Sequence, residues 1–204
     1  MDPKSHWENI YRSRSHKDVS WYADHISQSL KIIQSLGLKS DASILDVGGG
    51  ASTLVDDLLG AGYSNVSVLD VSAAALDIAR HRLGDRAGRV VWLEADVLAH
   101  DFPADAYDLW HDRAVFHFLT EESDRQTYRS QAAKVVKSGG YLLMSVFADD
   151  GPEKCSGIQV RRHGRSGLEN FFNPDFKPVT STRNVHLTPA GVEQRFTTVL
   201  LRKK

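Results

Sequence analysis

Apolar residues recur at helical and at strand spacing in alternation along most of this chain, and the order of the two periods outlines a fold. From Asp24 onward, Ile26, Leu30, Ile33 and Leu36 return at helical intervals, with Gly37 placed as a stop. Ser43 to Val47 is a short apolar strand pattern around Asp46, and it runs directly into Gly48-Gly49-Gly50. Glycines there let the backbone turn with positive φ and leave room for a ligand where a Cβ would collide. Leu54, Val55, Leu58 and Leu59 then mark one face of a helix ended by Gly60 and Gly62. Asn65 to Val71 reads as a second strand, and Ser72 is placed to cap a helix bearing Ala75, Leu76, Ala79 and Leu83, with Gly84 as its stop. Val90 to Glu94 and Tyr107 to His111 are the third and fourth strands. Tyr128, Ala132, Val135 and Val136 mark the next helix, and Ser138-Gly139-Gly140 is expected to turn into Tyr141 to Phe147, the most apolar strand and a central one.

The end of the chain breaks the alternation. Phe176 to Leu187 and Gln194 to Leu201 are two β-rich runs joined by Thr188-Pro189-Ala190-Gly191, which predicts a hairpin and hence an antiparallel strand at the end of the sheet. Ala148 to Asn173 reads as a glycine-rich loop followed by a short helix. Strand and helix in alternation predict an α/β fold with a doubly wound, mostly parallel, seven-stranded sheet. One domain over residues 1–204 is expected, with an N-terminal arm or lid over 1–23, a ligand-binding core over 24–147, a substrate-side loop and helix over 148–175, and the hairpin over 176–204.

Composition narrows the function classes. The chain has 204 residues, 41% apolar and 25% charged, enough to bury a core. A formal charge of −1 supplies no global field toward nucleic acid or an anionic membrane, so neither is expected as a partner. Cys155 is the single cysteine, which rules out an intramolecular disulfide and fits a reducing, cytoplasmic setting. Met1 to Asp18 has no apolar core of a secretory signal, and Tyr141 to Ala148, the longest apolar run, is too short to span a bilayer. Trp7, Tyr11, Trp21 and Tyr22 make the N-terminus unusually aromatic, as suits an arm packed on the core or on a ligand.

Candidate chemistry clusters at strand ends. In a doubly wound sheet, ligands bind beyond the carboxyl ends of the strands. Asp46 precedes the glycines, Asp70 ends strand two and Asp96 lies just past strand three. An acid at the end of strand two can accept both hydroxyls of a ribose, and one after strand three can accept an exocyclic amine such as that of adenine. Any one of them alone suits a loop cap, whereas three in register with the glycines point to a nucleoside site. A dinucleotide turn would carry a third glycine where this chain has Thr53, which argues against a nicotinamide oxidoreductase.

With these residues in view, the chain resembles the class I methyltransferases that use S-adenosylmethionine. Their acid-x-Gly-x-Gly element matches Asp46-Val47-Gly48-Gly49-Gly50, their ribose acid matches Asp70, and their adenine-side acid matches Asp96 in Glu94-Ala95-Asp96-Val97. The resemblance covers residues 24 to 202 and implies a Rossmann-like sheet with a terminal antiparallel strand. It implies cofactor contacts from Trp21, Asp46, Gly48, Gly49, Gly50, Asp70, Val71, Asp96, Val97 and His111. A finer resemblance, to the thiopurine and small-thiol methyltransferases, rests on Asp112-Arg113-Ala114 after strand four and on His6-Trp7-Glu8-x-x-Tyr11 with Ser20-Trp21-Tyr22. Small lysine methyltransferases acting on elongation factor or citrate synthase share that arm, but commonly carry acid-Lys-Gly after strand four.

The residues after strand four face the methyl position in that family, so His111, Asp112, Arg113 and His117 are the catalytic candidates. Asp112 and Arg113 also suit a structural pair holding the loop, and His117 suits packing near Phe116 and Phe118. Cys155 with His163 has no metal-site spacing, so no metal is expected. Arg161-Arg162-His163-Gly164-Arg165 suits either a solvated face or attraction of an anionic acceptor. The expected reaction is methyl transfer to a small-molecule acceptor with a thiol or other soft atom. A protein lysine is the alternative, followed by an oxidoreductase or a non-catalytic nucleotide-binding module.

Overall fold

The computed structural model describes residues 2–13 and 15–204; Met1 and Arg14, which fall within the expected N-terminal arm, lie outside the described residues. The chain enters through a helix, α1 (Pro3–Ser13), then α2 (Ser27–Ser35), and Gly37 leaves α2 with φ +64°. β1 (Ser43–Val47), α3 (Leu54–Gly60), β2 (Asn65–Asp70), α4 (Ala73–Leu83) and β3 (Val90–Glu94) follow the expected alternation. Ser72 caps α4 through its side chain, which accepts the Ala75 N–H, and Gly84 takes φ +56° at the other end. β4 (Tyr107–Arg113), α5 (Glu122–Val135), β5 (Val136–Phe147), a small hairpin of β6 (Lys154–Cys155) and β7 (Ile158–Gln159), α6 (Arg165–Phe172), β8 (Phe176–Leu187) and β9 (Glu193–Lys203) complete the chain.

The seven-stranded sheet has the order β3-β2-β1-β4-β5-β9-β8, parallel from β3 to β5, with β9 antiparallel to both β5 and β8. Strand alternation gives it two buried faces. Ile44, Val66, Val68, Leu109 and Leu143 pack under α2, α3 and α4, and Leu45, Trp110, Leu142 and Met144 pack under α5 and α6. The side on which each strand residue lies decides much of the site chemistry below. Among the described residues, no helix is long and apolar enough to cross a membrane.

Three expectations change. Two of the four N-terminal aromatics, Trp7 and Tyr11, sit on a helix and, four residues apart, share one face of α1. Ser138-Gly139-Gly140 is an irregularity inside β5 rather than the turn before it. Val136 already pairs with Tyr107, and Tyr141 with Leu109, so four residues bulge opposite Asp108, with Gly139 at φ +77°. Strand four runs two residues beyond His111, to Arg113, which redirects the side chains at its end.

Candidate active site

At the end of β1 the backbone leaves through Gly48 and Gly50, with φ +65° and +35°. Glycine is enforced there by contact as well as by φ. A Cβ on Gly48 would lie 2.0 Å from a Val115 methyl, and one on Gly50 would lie 2.5 Å from Asp70 Oδ2. A Cβ on Gly49 would meet Asp46 Oδ2 at 2.5 Å. Above this turn opens a cavity of about 270 Å³, floored by Val47, Gly48, Asp70, Val71, Asp96 and Val97. Its roof and far wall come from Trp7, Tyr11 and Trp21, from Arg113 and Phe118, and from Cys155.

The carboxylates of β2 and β3 meet in this cavity. Asp70 is buried, its Oδ1 accepts the Ser72 N–H at 2.9 Å, and its carboxyl is pushed up to about 7. Burial is the largest cause; backbone N–H groups of Ser72 and Val71 oppose it, and the charges of Asp46 and Glu8 add to it. Asp96 lies exposed just past β3, with Oδ1 accepting the Leu98 N–H at 2.8 Å.

Asp46 is placed elsewhere. On β1 it faces opposite to Val47, so it lies beneath the turn rather than in the cavity. Its Oδ1 is 2.7 Å from His111 Nδ1, and His111 Nε2 is 2.9 Å from Ser29 Oγ on α2. Asp46, His111 and Ser29 thus form a buried chain that ties β1 to β4 and α2, and Asp46 Oδ2 has no hydrogen-bond partner among the described residues. Gly49 and Gly50 shape the turn from below without lining the cavity.

Of the four residues expected to face the methyl position, Arg113 alone lines the cavity. Because β4 extends to Arg113, His111 shares its face and sits deeper, while Asp112 points to the α5 face. Asp112 is fully buried and accepts the N–H groups of Val115 and Phe116 and the hydroxyl of Tyr128 at 2.9, 3.1 and 2.5 Å. It closes the turn after β4 instead of pairing with Arg113. His117 is also fully buried; its Nδ1 accepts the Phe147 N–H at 3.3 Å, and burial pushes it down to about 3, so it is neutral.

Arg113 is half-buried and has no acidic partner within 4 Å among the described residues. Its Nη1 donates to the carbonyl of Trp21 at 2.9 Å, and its guanidinium lies 5.7 Å from the centre of the Phe196 ring. Burial lowers its pKa, and the surrounding acidic groups oppose that. Cys155, at the tip of the small β6–β7 hairpin, is buried on the same side, with burial pushing its thiol up to about 12. None of Arg161, Arg162 and Arg165 lines the cavity: Arg162 pairs with Glu153 and Arg165 with Glu169. His163 between them is buried against Phe116 and pushed down to about 4 by burial.

The arm completes the enclosure. Trp7 meets Trp21 and Phe118 edge-on, and the Trp21 Nε1–H donates to the Tyr11 hydroxyl at 3.1 Å. Sequence reasoning placed Tyr11 in the aromatic arm without assigning it to the site, and missed Phe118 and Asp124 as cavity residues. For Tyr11, the four-residue spacing from Trp7 was a readable signal; Phe118 and Asp124 carry none.

Known proteins resemble this chain in sequence and in fold. The family described as a methyltransferase domain matches residues 44–140. The eEF1A lysine and N-terminal methyltransferase of Bos taurus is 23% identical over 148 residues, covering 69% of this chain but 21% of that relative, so this chain spans about a fifth of its length. The EEF1A lysine methyltransferase 2 of Danio rerio is 20% identical, with 100% of this chain and 88% of that protein covered. Among solved structures, the Burkholderia thailandensis 1,6-didemethyltoxoflavin-N1-methyltransferase, bound to 1,6-didemethyltoxoflavin and S-adenosylhomocysteine, superposes with a TM-score of 0.69. It is 22% identical, over 87% of this chain and 77% of that one. The chain is thus similar to the class I methyltransferases that depend on S-adenosylmethionine, through a methyltransferase domain matched over residues 44–140 and a fold shared with solved methyltransferases.

Proposed function

We propose that this protein methylates a small acceptor through a soft, anionic nucleophile, a thiolate foremost. The observation that carries this reading is Arg113, an unpaired guanidinium in a cavity wall that contains no imidazole.

The residues present fit the cofactor. Gly48 lines the cavity with bare backbone, and Asp70 keeps an oxygen beyond the one that accepts the Ser72 N–H. In this reading Asp70 accepts the ribose hydroxyls and Asp96 the adenine amine. Val71 and Val97 flank the base, the glycine turn backs the methionine portion, and Trp21 covers it. When bound, S-adenosylmethionine supplies the methyl group on a positively charged sulfur.

Methyl transfer from such a centre is an in-line displacement in which the protein contributes mainly position and exclusion of water. Trp7, Tyr11, Trp21 and Phe118 exclude water here. An amine or hydroxyl acceptor must also lose a proton to a base within reach. His111 and His117 are outside the cavity and the Cys155 thiol stays protonated, so an amine would have to reach one of the lining carboxylates, Asp96 or Asp124, to lose its proton. A thiolate needs no such base: its sulfur bonds to the methyl carbon as the old carbon–sulfur bond breaks, and no proton moves. Arg113 would favour that anion, since a nearby cation lowers a thiol pKa.

The second reading is a protein lysine acceptor, and the eEF1A-directed relatives favour it. An arriving ammonium would be repelled by Arg113 and would have to lose its proton first. Methyl transfer from labelled cofactor, run in parallel against a panel of aliphatic and aromatic thiols and against purified eEF1A, separates the two readings. Label in the thiols supports the first; label only in the protein replaces it with the second.

A further inference from the structure

The helix that roofs the cavity is held from the side by an acid with no part in the chemistry above. On α1, Trp7 and Tyr11 turn toward the cavity, and Glu8, one residue on from Trp7, points about 100° around the helix toward α4. Glu8 Oε2 accepts the Ser72 hydroxyl at 2.7 Å and the Ala74 N–H at 3.2 Å. These two donors belong to the first turn of α4, where backbone N–H groups have no partner within the helix and a negative charge is favoured. The other carboxylate oxygen of Glu8 pairs with Arg12 one turn along α1, at 2.8 Å. The Ser72 hydrogen bond, then that of Ala74 and the Arg12 pair, hold the Glu8 carboxyl below the usual carboxylate range against the cost of burial.

Ser72 connects this contact to the cofactor side. Its N–H donates to Asp70 Oδ1, its hydroxyl donates to Glu8, and the same oxygen accepts the Ala75 N–H. The acid assigned to the ribose and the acid on the roof are therefore bound to one residue. The other tie of α1 to the sheet edge, Lys4 to Glu94, is exposed on both sides, and such pairs contribute little.

We propose that Glu8 is a latch: by gripping the first turn of α4 it keeps α1 over the cavity and sets the rate at which the cofactor enters and leaves. The inference rests on the cofactor assignment and is independent of the identity of the acceptor. A cofactor seated over Asp70 lies under Trp7 and Tyr11, so exchange requires α1 to lift. Lifting it breaks the Glu8 bonds to α4 while leaving Asp70, Asp96 and Arg113 in place.

The test is stopped-flow binding of S-adenosylhomocysteine followed by the fluorescence of Trp7 and Trp21, both of which line the cavity. Loss of two charge-assisted hydrogen bonds should speed release in Glu8→Ala by about tenfold. Association should speed up as well, because the roof is open more of the time. Glu8→Gln keeps an acceptor oxygen without the charge and should release about threefold faster. Lys4→Ala should stay within about twofold of wild type. A residue that only supported the fold would lower the melting temperature without accelerating association. Release and association at wild-type rates in Glu8→Ala would overturn the latch; should that variant fail to fold, wild-type rates in Glu8→Gln would do so. If the wild-type protein bound no S-adenosylhomocysteine, the cofactor assignment would fall, and the latch with it.

Discussion

At the β2–β3 end the cavity presents two carboxylates, Asp70 and Asp96, whereas at the β4 end it presents a guanidinium, Arg113, beside a protonated thiol. The two ends differ because their strands stop differently. β2 ends on Asp70 and β3 ends two residues before Asp96, so each acid emerges into the opening beyond the strand. β4 continues through His111 and Asp112, and the pleat sends one toward α2 and the other toward α5 before Arg113 reaches the cavity. A polar residue at a strand end therefore serves a ligand or the scaffold according to whether the strand has already finished. On the proposed reading the acidic end takes the nucleoside and the basic end an anionic acceptor.

The sharpest way to break that contrast is to remove a scaffold acid and compare it with a ligand acid. Asp112→Ala would leave the Val115 and Phe116 N–H groups and the Tyr128 hydroxyl without an acceptor in a fully buried site. At roughly 1–3 kcal/mol per stranded donor, it should cost about 3 kcal/mol of stability or more, measured by urea unfolding. Asp70→Ala strands the Ser72 N–H in place of three donors, so it should cost less, about 1 kcal/mol of stability, and weaken S-adenosylhomocysteine by about 1–3 kcal/mol in calorimetry. Loss of stability in the second variant and not the first would invert the assignment.

What could be read from sequence follows the same division. The glycine turn, the strand-end acids and the terminal hairpin depend on local chemistry and period, and Asn65–Asp70, Val90–Glu94 and Phe176–Leu187 lie where those patterns put them. The β4 end was not readable in that way. Whether His111 faces a cavity or Ser29 depends on two further residues of strand, which Tyr128 and the loop after Arg113 stabilise from outside the window that any periodicity samples. The β6–β7 hairpin that carries Cys155 was hidden for a related reason: two-residue strands leave no period to detect. Asp46 was found as a motif acid, but its place beneath Gly49 is a packing fact.

A pH titration sharpens the acidic end. With the Asp70 carboxyl at about 7 in the free protein, ribose hydroxyls that donate to the carboxylate should hold its charged form. Affinity for S-adenosylhomocysteine should then be flat above that value and fall as pH drops through it, by up to about tenfold per unit. The folding linkage has the opposite sign. The folded protein binds this proton more tightly than the unfolded chain does, so its contribution to stability is present at acid pH and is lost as pH rises through about 7. A pH-independent affinity would remove Asp70 from the ribose. The smallest effect belongs to the basic end, where Cys155→Ser should keep turnover within about twofold, because a thiol protonated at neutral pH is not a nucleophile.

The central claim is that the cavity has a nucleoside end and an acceptor end. Arg113→Met, measured for S-adenosylhomocysteine affinity and for thiol methylation on the same preparation, tests it most directly. The division predicts affinity within about threefold of wild type, alongside a rise of tenfold or more in the thiol KM, the scale of a lost charge-assisted contact. A variant that lost S-adenosylhomocysteine as fully as Asp70→Ala does, with an unchanged thiol KM, would contradict it.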